Sequence, residues 1–492
     1  MSGPEESIRT YGNWRRPDSR GLGGLGTLGT GIMVGGLGLV IVWMMARGFV
    51  EGLIVALVIG AFLGLILARD KHHKTLLTRI KERMVWWDVR RSGHQLYRSG
   101  PLARVGLGTH QLPGVLSVTE LSECIDAHGR RFALLGLAKH RFSVVIATSP
   151  DGAALVDESQ IDQWVARFGG WLMRLGDEPG LVAAQITVES APDSGAELRR
   201  RVLARIDPNA PAFAKQVMQD VVDEYPTASH STRAWVALTF SSDLSADEFG
   251  REIATRLPAL TAGLTEAGAG ATKVCDGDEL CRIVRVAFDP ESARTFDEAT
   301  MSGEVPELTW QEVGPSAHET TWDSYLHDSG LSTTWEMTEA PRGPVPAQIL
   351  AQLLKPHRDI QRKRVSLMFR PTPIGQAAAL VEKDLDAAQF RRDSATTPTA
   401  RMRLAVKRAE KTADEEAAGA GLVNFGMLVT ATVAKDVSLR KAKDAMDGLK
   451  ATARLQLRPC YGAQDSAFAA SLPLGIVLGD LLTLPTEVTN KL

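Results

Sequence analysis

Cysteine is scarce in this 492-residue chain: Cys124, Cys275, Cys281 and Cys460, with no CxxC pair among them. The ten histidines supply no companion ligand cluster, so neither a zinc site nor a disulfide framework is expected, and the thiols read as reduced and cytosolic. No Gly-Lys pair occurs, which excludes a G-x-x-x-x-G-K-[ST] phosphate loop within these residues. G-x-S-x-G, H-E-x-x-H and EF-hand patterns are missing as well. A strong charge of one sign is also lacking, since the formal net charge is −2. Residues 1–98 carry 14 Lys+Arg and 7 Asp+Glu, a net of +7, which leaves −9 for residues 99–492. A mildly acidic remainder argues against a dedicated nucleic-acid surface. No catalytic residue, cofactor or metal ligand is expected, and the chain reads as a non-enzyme.

The fragments of motif that do occur have plainer explanations. Gly21, Gly23 and Gly26 form a formal GxGxxG, but no strand precedes it and no βαβ unit surrounds it. His72 and His73 are adjacent, so their rings point to different sides. Asp276, Asp278 and Glu279 lie beside Cys275 and Cys281, where acidic residues at a helix start favour the N-terminal dipole.

The chain does hold two long apolar runs, Leu28–Ala46 and Val50–Ala68, separated by a short turn with Arg47, Gly48 and Glu51. Each is near the ~20 residues that cross a bilayer core as a helix. Basic residues flank the pair: Arg9, Arg15, Arg16 and Arg20 before it, then Arg69, Lys71, Lys74, Arg79, Lys81 and Arg83 after it. These features predict a transmembrane hairpin in an inner (plasma) membrane, with both termini cytoplasmic. About 27 residues precede the first run and no convincing cleavage site is present, so a cleavable signal peptide is not expected. Gly31 and Gly35, and Gly60 and Gly64, are placed for close helix contact in lipid. Leu76, Leu77, Ile80, Met84 and Trp87 then fall at helical spacing. That basic amphipathic segment offers Trp86 and Trp87 either to a lipid headgroup level or to the following domain.

The expected fold class is α+β, an N-terminal transmembrane helical hairpin followed by two mixed α+β cytosolic lobes. The segments are a tail at 1–27, the hairpin at 28–68, the amphipathic helix at 69–99, and lobes at 100–230 and 231–492. In the first lobe 113–123, 131–138, 141–148 and 181–189 read as strands. Residues 158–175 form a helix whose aromatic stripe (Trp164, Phe168, Trp171) is core, followed by helices near 194–206 and 210–224. Pro226 and the polar run after it mark the boundary. In the second lobe 233–241, 321–326, 332–338, 363–370, 422–434 and 453–459 read as strands. Ser245 with Glu248 opens a helix at 246–267 with a capping box, and 276–286 and 437–450 are further helices. Residues 291–315 read as a loop, and 373–420 as a charged helical arm broken at Thr397-Pro398. The β–α–β units at 233–289 and 422–459 suggest related halves, although no strict repetition is visible.

Three stretches carry a family resemblance: DELCRIVRVAFD ending at Asp289-Pro290, LSTTWEMTEAP followed by PVPAQILAQLL, and above all GAQDSAFAASLPLG at 462–475. On these the chain resembles the small inner-membrane hairpin protein of type IV secretion and conjugation systems joined to the N-terminal domain of their large ATPase. It is similar to the stand-alone membrane proteins of this kind from actinobacterial conjugative elements. The resemblance spans roughly the whole chain, and the P-loop domain expected after it is missing. It implies a membrane-anchored structural component that docks a separately encoded P-loop secretion ATPase, with other machine subunits and membrane lipid as partners and a homo-oligomer as a further option. The end of the chain, 422–492, is the expected ATPase-facing surface. Two alternatives stand beside it: an EccE-like component of type VII (ESX) secretion, and a membrane-anchored enzyme with an unrecognised site.

Overall fold

The computed structural model describes residues 10–12, 14, 26–67, 76–100, 110–126, 128–150, 152, 156–193, 195–224, 230–302, 304, 308–341 and 343–481. A short strand β1 (Thr10–Tyr11) leads to α1 (Gly26–Arg47), α2 (Phe49–Leu67), α3 (Leu76–Ser92) and β2 (Leu96–Arg98). Next come β3 (Glu120–Ile125), β4 (Arg131–Leu137), β5 (Arg141–Ser149), α4 (Glu158–Leu175), β6 (Leu181–Pro192), α5 (Ala196–Arg205) and α6 (Ala212–Glu224). They are followed by β7 (His230–Ser241), α7 (Ala246–Leu264), β8 (Ala271–Val274), α8 (Gly277–Phe288) and α9 (Ser292–Ser302). The chain continues through β9 (Ala317–Thr320), β10 (Tyr325–His327), β11 (Gly330–Glu339), β12 (Val345–Pro346), α10 (Ala351–Leu354) and β13 (Arg362–Pro371). It closes with α11 (Ile374–Asp393), α12 (Ala400–Ala417), β14 (Val423–Ala434), α13 (Leu439–Thr452), β15 (Gln456–Pro459) and α14 (Gln464–Ser471).

Thirteen of the strands form one antiparallel sheet in the order β2-β9-β10-β11-β14-β13-β6-β7-β5-β4-β3, with β8 on β5 and β15 on β11. This corrects the expectation of a transmembrane hairpin followed by two lobes. The pairing of β6 with β13, over Ala184–Ser190 and Lys363–Phe369, makes the sheet continuous from one half to the other. The boundary at 230/231 falls at the start of β7, inside that sheet.

The two halves repeat one topology. Strand order β6-β7-β5-β4-β3 with β8 on β5 is matched by β13-β14-β11-β10-β9 with β15 on β11. A two-helix excursion, α5–α6 or α11–α12, sits between equivalent strands. Even single hydrogen bonds recur: Cys275 N–H donates to Val145 O at 2.8 Å, and Cys460 N–H to Thr334 O at 2.9 Å. Each of these cysteines opens a Cys-x-Gly step after its strand, at 275–277 and 460–462.

Alternation along the strands sends apolar side chains to both faces, as expected of a sheet covered on each side. One face packs Val144, Ile146, Val236 and Leu238 under α4 and α7, and Val365, Val429 and Ala431 under α13. The aromatic side of α4 is core, as its spacing predicts: Trp171 is 2 % exposed. The other face packs Val145, Trp235 and Ala237 under α8 and α14. The Ser245–Glu248 capping box at the start of α7 is present. The stretch read as a loop at 291–315 contains α9.

The two apolar runs do fold as helices, α1 and α2. Among the described residues, however, no helix is long and apolar enough to cross a membrane. Glycines at 26, 29, 31, 35, 36 and 38 dilute α1, and Glu51 occupies the first turn of α2. What remains of α2, Gly52–Leu67, is about 24 Å of helix at 1.5 Å per residue, against a hydrocarbon core of ~30 Å. The two-span reading, and with it the inner-membrane placement with both termini cytoplasmic, is therefore overturned. The hairpin contact also differs from the expected one. Gly31, Gly35, Gly60 and Gly64 are exposed and would meet nothing within 4 Å, whereas Gly36 abuts Ile59 and Gly52 abuts Met44.

Candidate interaction site

The stretch GAQDSAFAASLPLG at 462–475 is heavily hydrogen-bonded to the sheet. Segment 464–477 is buried almost throughout and crosses the middle of the sheet on the α8 side. Its first half is helix α14, and the carbonyls at the end of that helix and the non-strand residues 472–477 need partners from elsewhere. Gln464 Oε1 accepts from Thr334 N–H at 2.8 Å, and its Nε2 donates to Thr334 O and Cys460 O. Ser366 donates to Ser471 O, and Thr430 to Ser471 Oγ. Gln185 Nε2 donates to the carbonyls of Ala470 and Leu472, while its Oε1 accepts Gly475 N–H. Thr239 donates to Gly475 O at 2.6 Å. Phe468 packs on Phe288 of α8, ring centres 5.4 Å apart. The segment is thus a clasp that joins both halves.

Beside the clasp lies a buried ion triad. Glu189 on β6 accepts from Arg362 Nη1 at 2.6 Å and from Arg364 Nη2 at 2.6 Å and Nε at 2.9 Å. Burial alone would raise the Glu189 carboxyl, but the Arg364 and Arg362 charges and their hydrogen bonds outweigh it and hold it at about 2. Arg364 also lies over the Phe468 ring at 5.6 Å. His327 is completely enclosed. Its Nδ1 is 2.6 Å from Phe288 O and its Nε2 is 2.7 Å from Ser332 Oγ, which lies 2.7 Å from Thr432 Oγ1. Desolvation lowers this imidazole to about 4, so the neutral ring donates through Nδ1 and accepts Ser332 O–H at Nε2. These polar groups are engaged in holding the sheet together.

The acidic cluster at 276–279 is a helix start. Asp276 caps α8 by accepting Glu279 N–H, and Lys273 pairs with Asp276 and Glu279. Desolvation raises the Cys275 thiol and pushes Cys281 up to about 12. Among the described residues no group of three or more His, Cys, Asp or Glu is placed to hold a metal ion. A pocket lined by Val115, Leu137, Thr239 and Ile476 has a volume of about 20 Å³, room for a water.

The basic residues expected at an interface divide. Arg69, Lys71, Lys74, His72 and His73 lie outside the described residues. Arg79, Lys81 and Arg83 are exposed on α3. Of the two tryptophans, Trp86 packs against Trp322 (6.1 Å), which stacks on Tyr461 (5.4 Å). Arg83 lies over the same Trp322 ring at 4.8 Å. Arg458 clamps Glu82 with contacts of 2.5 and 3.1 Å and also meets Glu336. Trp87 faces away, 62 % exposed, together with Ile80 and Met84. The apolar stripe of α3 therefore points outward, while its polar side, through Glu82, docks on the sheet. The outward stripe adds to an exposed apolar surface on α1 (Leu37, Ile41, Met45) and α2 (Phe49, Leu53, Leu57). Periodicity finds this helix but leaves its docking side open, because the partners Trp322 and Arg458 lie far off in sequence.

The described part of the expected ATPase-facing end, residues 422–481, is not separable from the sheet. β14 lies between β11 and β13, and 464–477 are buried beneath the clasp bonds. Removing residues from Gly421 onward would delete the interior of the sheet.

A family model described as a domain of unknown function (DUF8461) matches residues 18–78, a region that takes in α1 and α2. No curated protein matches the chain.

Proposed function

We propose that this chain is a structural docking component of a conjugation or type IV secretion-like machine, and that a P-loop ATPase assembles on it. The observation that carries the reading is the exposed apolar surface of α1, α2 and α3, tied to a rigid sheet through Glu82–Arg458 and Trp86–Trp322. Clustering of exposed large apolar side chains on three successive helices supports an assembly site. The family resemblance supplies the kind of machine, and its strongest segment coincides with the clasp. The energy-coupling chemistry is assigned to the partner, since these 492 residues contain no G-x-x-x-x-G-K-[ST] pattern.

The test is co-expression of the tagged full chain with the P-loop ATPase encoded in its genomic neighbourhood. A stoichiometric complex is expected, lost on Met84→Glu/Trp87→Glu substitution while the far-UV circular dichroism spectrum is unchanged. Purification as a lone species after mild crosslinking would overturn the reading.

A further inference from the structure

Among the described residues, the internal repeat leaves one of its two outer seats unfilled. In the second half the outermost repeat strand, β9, is covered by β2, which pairs antiparallel with it as Leu96↔Glu319, Tyr97↔His318 and Arg98↔Ala317. In the first half the equivalent strand, β3, has β4 as its one strand neighbour among the described residues. Which groups this exposes follows from pairing parity. Ala133 N–H donates to Cys275 O, so the odd positions of β4 look away from β3, and the even positions exchange hydrogen bonds with it. On β3 the partners of those even positions are Glu120, Ser122 and Cys124. The N–H and C=O groups of Leu121, Glu123 and Ile125 therefore face outward. Register places Leu121 where the second half has Thr320, through the matching pairs Leu121↔Leu135 and Thr320↔Tyr325. Thr320 N–H is taken by Gln95 O at 2.9 Å, just ahead of β2.

An outward row of backbone donors and acceptors is a template for an added strand. We propose that the β3 edge accepts an extended basic segment of a partner chain, laid antiparallel as β2 lies on β9. Two observations choose this occupant. The filled seat holds a strand that brings Arg98, and the open seat is rimmed by carboxylates. Glu120 and Glu123 stand on β3, and Asp247 and Asp278 begin the two helices that flank it. Arg131 is the local counter-charge, 3.9 Å from Glu123 and exposed. Ile125, 65 % exposed, offers an apolar contact at the end of the edge. This inference rests on topology and charge and holds whichever machine the chain serves.

The probe is a fluorescein-labelled peptide with the sequence of residues 93–100 (GHQLYRSG), titrated by anisotropy against the full chain. Saturable binding is expected, with slowed amide exchange at Leu121, Glu123 and Ile125. Glu123→Pro removes an outward N–H that the β3–β4 ladder does not use, and should weaken binding at least ten-fold. Glu120→Lys/Glu123→Lys keeps the backbone donors and should weaken binding several-fold, so a folding defect in the proline variant leaves the question decidable. Absence of saturable binding overturns the proposal. So does binding that both variants leave unchanged, which would place the peptide on β9 in exchange for β2.

Discussion

Thr187 Oγ1 and Ser366 Oγ lie 3.1 Å apart at the middle of the β6–β13 pairing, on the line that relates the two halves of the sheet. Ser366 also donates to Ser471 O, so the line of symmetry is also where the clasp is pinned. The repeat by itself explains a wide sheet. It does not explain why the central strands are lined with Gln185, Thr187, Ser366 and Thr430. Gln185, Ser366 and Thr430 bond the end of α14 and the non-strand residues after it, whose buried polar groups need partners, and Thr187 bonds Ser366.

Gln185 should therefore be costly to replace. Gln185→Leu fills similar volume but orphans Gly475 N–H and leaves two carbonyls, of Ala470 and Leu472, without this donor. Each buried unsatisfied group costs ~1–3 kcal/mol, so a loss of about 3 kcal/mol is expected in urea unfolding. A loss under about 1 kcal/mol would mean that the clasp is held mainly by its apolar contacts.

Glu189 is the counter-charge for two buried guanidinium groups, and Glu189→Gln leaves them under-compensated. A destabilisation of about 3–5 kcal/mol is expected at neutral pH. The folded carboxyl sits at about 2 against a usual 4.5, so the unfolded state binds more protons between those values. Its contribution is complete above pH 4.5 and is lost as pH falls toward 2. Stability curves of wild type and Glu189→Gln should converge over that window; parallel curves would count against the triad.

A second acid-sensitive window belongs to histidine. Desolvation lowers both His318 and His327 to about 4, the former also through His327 and the latter also through Arg364, from 6.5. The unfolded chain again holds more protons in between, so stability is complete above pH 6.5 and declines as pH falls to 4. The full shift corresponds to on the order of 3 kcal/mol per imidazole. NMR titration of the ring protons should show neither histidine charging above pH 5; a midpoint near 6.5 for His327 would contradict its enclosure between Phe288 O and Ser332 Oγ.

Apolar, β-branched runs made much of the sheet legible in the sequence. The 141–148 and 422–434 runs are rich in apolar and β-branched residues, and the aromatic side of α4 has helical spacing. The capping box at Ser245 is a local signal and is read locally. The repeat was less legible, because its halves share strand order while keeping little sequence beyond Cys-x-Gly at 275–277 and 460–462. The α1–α2 hairpin shows why an apolar run is an incomplete signal: helix length, glycine content and the position of Glu51 decide what the run spans. The clasp was not legible in the sequence, since its partners Gln185 and Thr239 lie more than 230 residues away.

Docking of α3 is the remaining non-local feature, and it can be loosened without touching the sheet core. Trp322 is half-buried and contacts Trp86, Arg83 and Tyr461 from a turn between β9 and β10. Trp322→Ala removes the aromatic seat and leaves the Glu82–Arg458 pair, whose two charges alone hold a partly exposed helix weakly. Amides of α3 should then exchange at least ten-fold faster, about 1.4 kcal/mol of local stability, while amides of β6 and β13 are unchanged. Arg458→Ala should act differently. It leaves Glu82 and Glu336 facing each other without their shared cation, so α3 exchange should rise and fall with added salt, which the Trp322→Ala effect should not do. Equal salt sensitivity in the two variants would show that α3 is held by charge rather than by the tryptophan seat.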